Sequence, residues 1–443
     1  MSNCVFDNFM GPGGKPANFP NGITVGGGNM GGVNQIGIPG SVGFGVGVCP
    51  GPLPSGFIGL QGYTDPTSDN YGNYIFTDGS VMVWIPAFYY KYGTGANGVP
   101  LNAVSIKQFS DFTDVATANA AGYALHRMFY DGGLQLGVFV DKYLCSNNGG
   151  IASSLKLGNP LSIDAGHNPI SGLAGGPANF YYGAIAAAKT RGASFFCNSR
   201  FIFAGLDLLA LAHAQASSAA TWCAWYNATY NFPKGCNNSA LGDTNDGALT
   251  FASDGYSNCA KTGSANLFAR TTHNGQNCGI ADLNGTMWEI TPGLATDDAG
   301  TTYYVLKSVT KMKNVTGGSG GATDLWGAAG LAALYDSLGA TYGAAVASNT
   351  TKYYGSASQV LSEATSGNAW QAAGLGLPLA GGVGGTNQFG SDYFLDYRPA
   401  AMCPLSGGYW ADGSDAGVWA FNLSGVRGSS GIGVGFRSAL YLS

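Results

Sequence analysis

Charge is what this chain most lacks. Asp, Glu, Lys and Arg make up 10% of its 443 residues, where ordinary soluble proteins carry roughly 25%. Solubility has to come from Asn, Ser, Thr and Gly surfaces, and a formal net charge of -5 provides no basic patch for nucleic acid. Long apolar runs are missing as well. The most apolar stretch, Phe201 to Ala212, contains Asp207 and is about half the length a bilayer crossing needs, which excludes membrane insertion. Met1 to Met10 carries Asn3, Asp7 and Asn8 in place of the basic start and apolar centre of a signal peptide, so release by lysis or as part of a particle is expected. The nine cysteines form no Cys-x-x-Cys pair, so the usual zinc spacing is absent. They read either as reduced, buried apolar residues or as disulfides, with the five from Cys197 to Cys278 the best placed to pair. No phosphate loop and no His-Glu-x-x-His occurs, which removes two common enzymatic templates.

Glycine is what the chain has in excess. Its 73 residues are more than double the usual share of about 7%. Combined with 12% aromatics, the low charge argues against disorder and suits a protein packed into an assembly. Residues 1–75 hold much of the glycine and proline, as in Gly11-Pro12-Gly13-Gly14, Gly26-Gly27-Gly28 and Cys49-Pro50-Gly51-Pro52. Such a stretch cannot bury enough surface to fold alone. It reads as a flexible leader or as an extended arm that orders along neighbouring subunits. Phe19-Pro20-Asn21-Gly22-Ile23 and Phe44 to Val48 are too apolar for a pure spacer and favour the arm.

A compact α+β domain is expected over residues 76–443. Gly79 to Tyr92 is a strand pair split by Pro86, and Gly137 to Asn147 alternates like a half-buried strand. Helical periods follow at Ala184 to Ala188 and at Phe201 to Ser217, where Ile202, Phe203, Leu206, Leu209 and Ala210 share a stripe. His213, near that helix's end, has no partner His one turn away, so a structural role is expected. Asp243-Thr244-Asn245-Asp246-Gly247 lacks EF-hand spacing and reads as an Asx-rich turn. Glu289, in a strand beside Trp288, needs a partner: a calcium ion, an Arg such as Arg437, or backbone amides. Residues from about 310 to 400, rich in Gly, Ala and Ser with a helical piece around Leu331 to Leu338, form an insertion.

Several of these runs resemble one family. Met82-Val83-Trp84-Ile85-Pro86 with Phe88-Tyr89-Tyr90, Phe139 to Asn147, Gly279 to Thr291 around Trp288-Glu289, and Gly407-Gly408-Tyr409-Trp410 with terminal Gly435-Phe436-Arg437 carry the likeness. They are similar to the C-type-lectin-like fold of formylglycine-generating enzymes and of retroelement-diversified variable proteins, phage tropism determinants among them. Thr286 stands where the family usually has Asn, and Ile290 where it usually ends in Trp. The resemblance implies calcium near this signature as the one possible cofactor. It implies no oxidase activity, because Asp412 and Gly417 stand at about the positions of that branch's two cysteines.

The variable-protein branch implies a rigid scaffold displaying exchangeable side chains. Tyr409, Trp410, Ala411, Asp412, Ser414, Asp415, Trp419 and Phe421 form the expected ligand-binding set, with the aromatic and small-polar make-up of a paratope. For Trp410, Trp419 and Phe421 core packing is the competing reading. The expectation is a non-enzymatic virion protein, exposed on the particle as a homo-oligomer, a trimer in the favoured form. It would dock on other virion subunits through residues 1–75 and bind a host-surface protein or glycan through the C-terminal face. The alternative is a structural cement without a host ligand.

Overall fold

The computed structural model describes residues 33–93, 103–217, 222–225, 232–312, 326–327, 330–339, 350–354, 363–377 and 392–442, together with two short strands, Thr24–Val25 and Gly28–Asn29. Within these residues the chain is α+β, with few helices and many short strands. No helix among them is long and apolar enough to cross a membrane.

Two six-stranded sheets organise the chain. The first runs Phe196–Cys197, Ser438–Tyr441, Gly137–Asp141, Val81–Pro86, Asn73–Phe76, Phe57–Gly59, and every pairing is antiparallel. The second runs Thr350–Tyr353, Tyr393–Asp396, Phe421–Asn422, Leu405–Ser406, Trp288–Ile290, Val434–Gly435 and is mixed. Pro86 does end a strand, and Phe88–Gly93 opens a separate three-stranded sheet with Ala103–Gln108 and Ala124–Leu125.

Gly137–Asp141 is buried along its whole length rather than half-buried. Val138 and Val140 enter the main core, whereas Phe139 packs with Trp84, Tyr74 and Phe57 in an aromatic cluster on the other face. A central strand covered on both sides loses the alternation that marks a half-exposed one. The helix Arg200–Ala216 behaves the same way: nearly every residue is buried, so its apolar stripe widens to the full circumference. Ser199 caps it by accepting from the Ile202 N–H.

The boundary expected at residue 75 does not match the packing. Ile36, Phe44 and Val46 are buried in the main core, and Phe57–Gly59 and Asn73–Phe76 are strands of the first sheet. Two buried histidines clamp this segment. His213 accepts from the Gly40 N–H at 3.0 Å, donates to the Trp222 carbonyl at 2.6 Å and stacks on Phe44. His273 Nε2 lies 3.0 Å from the Gly45 carbonyl. The apolar residues that favoured an arm are thus contacts within the chain; Phe19 to Ile23 lies outside the described residues. In the insertion, Leu331 to Leu338 is not a helix but a 3-10 turn followed by the strand Tyr335–Gly339, and the helix lies at Gly367–Gly374. Cys49, Cys145, Cys197, Cys236, Cys259, Cys278 and Cys403 are buried free thiols and Cys223 is buried, so no disulfide links Cys197, Cys236, Cys259 and Cys278; Cys4 lies outside the described residues.

Candidate binding face at the C-terminal loop

The last residues join the two sheets. Val434–Gly435 closes the second, Ser438–Tyr441 enters the first, and Phe436 and Arg437 are the joint between them. Arg437 is fully buried. Its Nε and Nη2 meet the two Glu289 oxygens at 2.7 and 2.5 Å, and its remaining donors reach the carbonyls of Asp141, Ala281 and Asp282. A buried charge pair holds only when its donors and acceptors are matched in this way. Of the three partners open to Glu289, the structure shows Arg437.

The loop between these supports is fixed by backbone bonds. Gly407 accepts from the Gly285 and Gly417 N–H groups and donates to Ala420. Trp410 accepts from the Ser239 N–H, and Gly413 donates to the Asn237 carbonyl at 2.8 Å. Asn237 is itself held: its side chain donates to Asn284 and accepts from Thr244, while Asp243 accepts from the Asn245 N–H in the expected Asx turn at 243–247. Gly407 and Gly408 have φ of 93° and 81°, which side-chain-bearing residues adopt only under strain.

Three of the eight expected contact residues are below the surface. Trp419 is buried against Tyr354, and its N–H donates to Asp392. Phe421 is buried beneath the Arg200 guanidinium, 4.1 Å from the ring centroid. Trp410 is buried in a second cluster with Leu144, Leu249, Phe251 and Met287. For all three, core packing replaces the contact reading, because apolar area in a closed sheet is worth more buried than displayed. Tyr409, Asp412, Ser414 and Asp415 are half-buried and Ala411 is exposed, so these five line the surface.

Two residues not assigned to the face from sequence adjoin it: Tyr393 is half-buried beside the loop, and Trp288 is buried beneath it. Trp288 and Tyr393 lie 6.4 Å apart, edge to face. Trp288 hydrogen-bonds the Asp412 side chain, and Tyr393 feels both Asp415 and Asp412. Trp288 was already visible in the Glu289 signature; Tyr393, in the Gly-rich insertion, carried no signal. Asp412 accepts from the Tyr409 N–H at 2.9 Å. Burial, reinforced by the neighbouring Asp415, pushes its carboxyl up to about 7 despite that bond, and burial also raises Asp415. The arrangement offers aromatic edges and two carboxyls that resist ionising together. A cleft of ≈ 490 Å³ elsewhere, lined by Ser146, Asn147, Leu157 and Asn168 among others, has no titratable side chain in its wall.

No protein-family model matches the chain, and no curated protein matches it. Among solved structures it is similar to the Major Tropism Determinant U1 variant, with 10% identity and a TM-score of 0.29, over 82% of this chain and 63% of that one. The M1 variant gives 11% identity and 0.27, and the P3c variant 10% and 0.28, with the same coverage. The chain therefore spans less than two thirds of the length of the structures it matches.

Proposed function

We propose that this chain is a non-enzymatic phage virion protein with a C-type-lectin-like head that attaches the particle to the host surface through Tyr409, Ala411, Asp412, Ser414 and Asp415, flanked by Trp288 and Tyr393. One observation carries this reading. The loop backbone is locked by buried partners on both sides, while five of its side chains reach the surface, which is how a scaffold presents a readout without depending on it. The reading assigns no cofactor to the face. Several copies, a trimer in the favoured form, would add avidity, and docking on other virion subunits falls to the N-terminal residues.

Cryo-electron microscopy of the native particle tests it. The reading requires Tyr409, Asp412, Ser414 and Asp415 to face solvent, with the first thirty or so residues against neighbouring subunits. A loop buried between subunits overturns it and makes the protein a structural cement.

A further inference from the structure

A bridge between Ser253 and Ala260 closes a tight loop, bringing Asp254 and Cys259 together beneath Trp410. His167 enters from a distant segment. The ligand atoms of the three side chains all lie within 4.8 Å of one another. His167 and Cys259 are buried, and the Asp254 side chain is fully covered.

The hydrogen bonds around His167 require a proton or a metal ion on Nε2. Its Nδ1 is 2.7 Å from the Ile432 carbonyl, which can only accept. Its Nε2 is 2.7 Å from Asp254 Oδ2. With Nδ1 donating, the Nε2 lone pair points at a carboxylate oxygen, and a proton or a metal ion must stand there. Cys259 Sγ contacts the carbonyls of Ala260 and Thr286 and the Met287 sulfur at 3.7 to 3.9 Å. Tyr256 stacks on His167 at 4.2 Å, and Trp410 meets its edge at 5.8 Å.

We propose that His167 Nε2, an Asp254 carboxylate oxygen and Cys259 Sγ bind a Zn²⁺ ion beneath the C-terminal loop, with water in the position that three protein ligands leave open. Nitrogen, oxygen and sulfur donors together suit zinc, and at bond lengths of about 2.0 Å to N and O the tetrahedral N···O separation is about 3.3 Å, so His167 and Asp254 need to part by roughly half an ångström. Binding displaces two protons to solvent, the one between His167 Nε2 and Asp254 and that of the Cys259 thiol, so the site fills more readily as pH rises. The ion would join the 254–259 loop to residue 167, and through His167 to Trp410. This does not depend on what the face binds.

The test uses the full chain, stripped with a chelator, reloaded with Zn²⁺ and passed through a desalting column. About one zinc per chain is expected to remain, and X-ray absorption should show one sulfur near 2.3 Å with nitrogen and oxygen near 2.0 Å. Cys259→Ser and His167→Gln should lose the retained zinc, while Cys403→Ser, which removes a buried thiol outside the cluster, should keep it. The absorption measurement needs no variant, so it decides the matter even if Cys259→Ser fails to fold. No retained zinc, or a shell with no sulfur or several, overturns the proposal.

Discussion

Replacing side chains of the C-terminal loop should separate two populations that its sequence mixes. Trp419 and Phe421 are 1% and 0% exposed. Truncating either to Ala removes a buried aromatic at a cost of about 3–5 kcal/mol. In a chain of 443 residues, each kcal/mol lowers the unfolding midpoint by roughly 1 °C, so a fall of about 3–5 °C is expected. Ser414 and Asp415 make no side-chain hydrogen bond among those described and are half-buried, so Ser414→Ala and Asp415→Ala together should stay within about 1 kcal/mol. Tyr409 and Asp412 fall between, because the Tyr409 ring packs on Trp410 and Asp412 holds the Tyr409 N–H. Calorimetry of the intact chain reads all of these. A neutral Trp419→Ala with a strongly destabilised Ser414→Ala/Asp415→Ala would refute the division into frame and face.

Asp412 gives a pH dependence with a defined sign. Its carboxyl is raised from 3.8 to about 7, so its stabilising contribution is complete below the unfolded value and is lost as pH rises through about 7. Asp412→Asn should flatten the stability profile across that window, as seen in unfolding midpoints from pH 5 to 8. Thr286 has φ of 60° and a buried hydroxyl without a partner. Thr286→Asn, a residue that tolerates this conformation, should raise stability by about 1 kcal/mol in denaturant titration. Glu289→Gln leaves the buried Arg437 guanidinium without its counter-charge and should cost about 3–5 kcal/mol by the same titration.

Local chemistry was legible in the sequence where a residue's need is met nearby or by an unmistakable partner. Glu289 called for a partner and Arg437 supplies it. Pro86 marked a strand end, and the 243–247 run marked an Asx turn. What stayed hidden depends on residues far along the chain. Whether Trp419 is core is decided by Tyr354, and Phe421 by Arg200. Residues 33–76 look like an arm because glycine and proline punctuate them, yet their apolar side chains fall on a prepared core, and their backbone meets His213 and His273. Composition reports how much surface a segment can bury, and says nothing about where that surface lands. His167, Asp254 and Cys259 were invisible for the same reason, the first two standing 87 positions apart.

The glycines of the loop explain why its variable-looking positions can be separated from its fixed ones. A Cβ on Gly408 would stand 2.5 Å from that of Ala416, and one on Gly417 would stand 2.0 Å from the Asp392 carboxylate oxygens. Neither neighbour has room to yield: Ala416 is buried in the loop, and Asp392 is held by the Trp419 N–H. These positions must lack a side chain for the backbone to close on its supports. The side chains at 411, 414 and 415 meet no such wall. The loop therefore draws its shape from residues that present nothing and its chemistry from residues that support little, so the face can change while the fold persists.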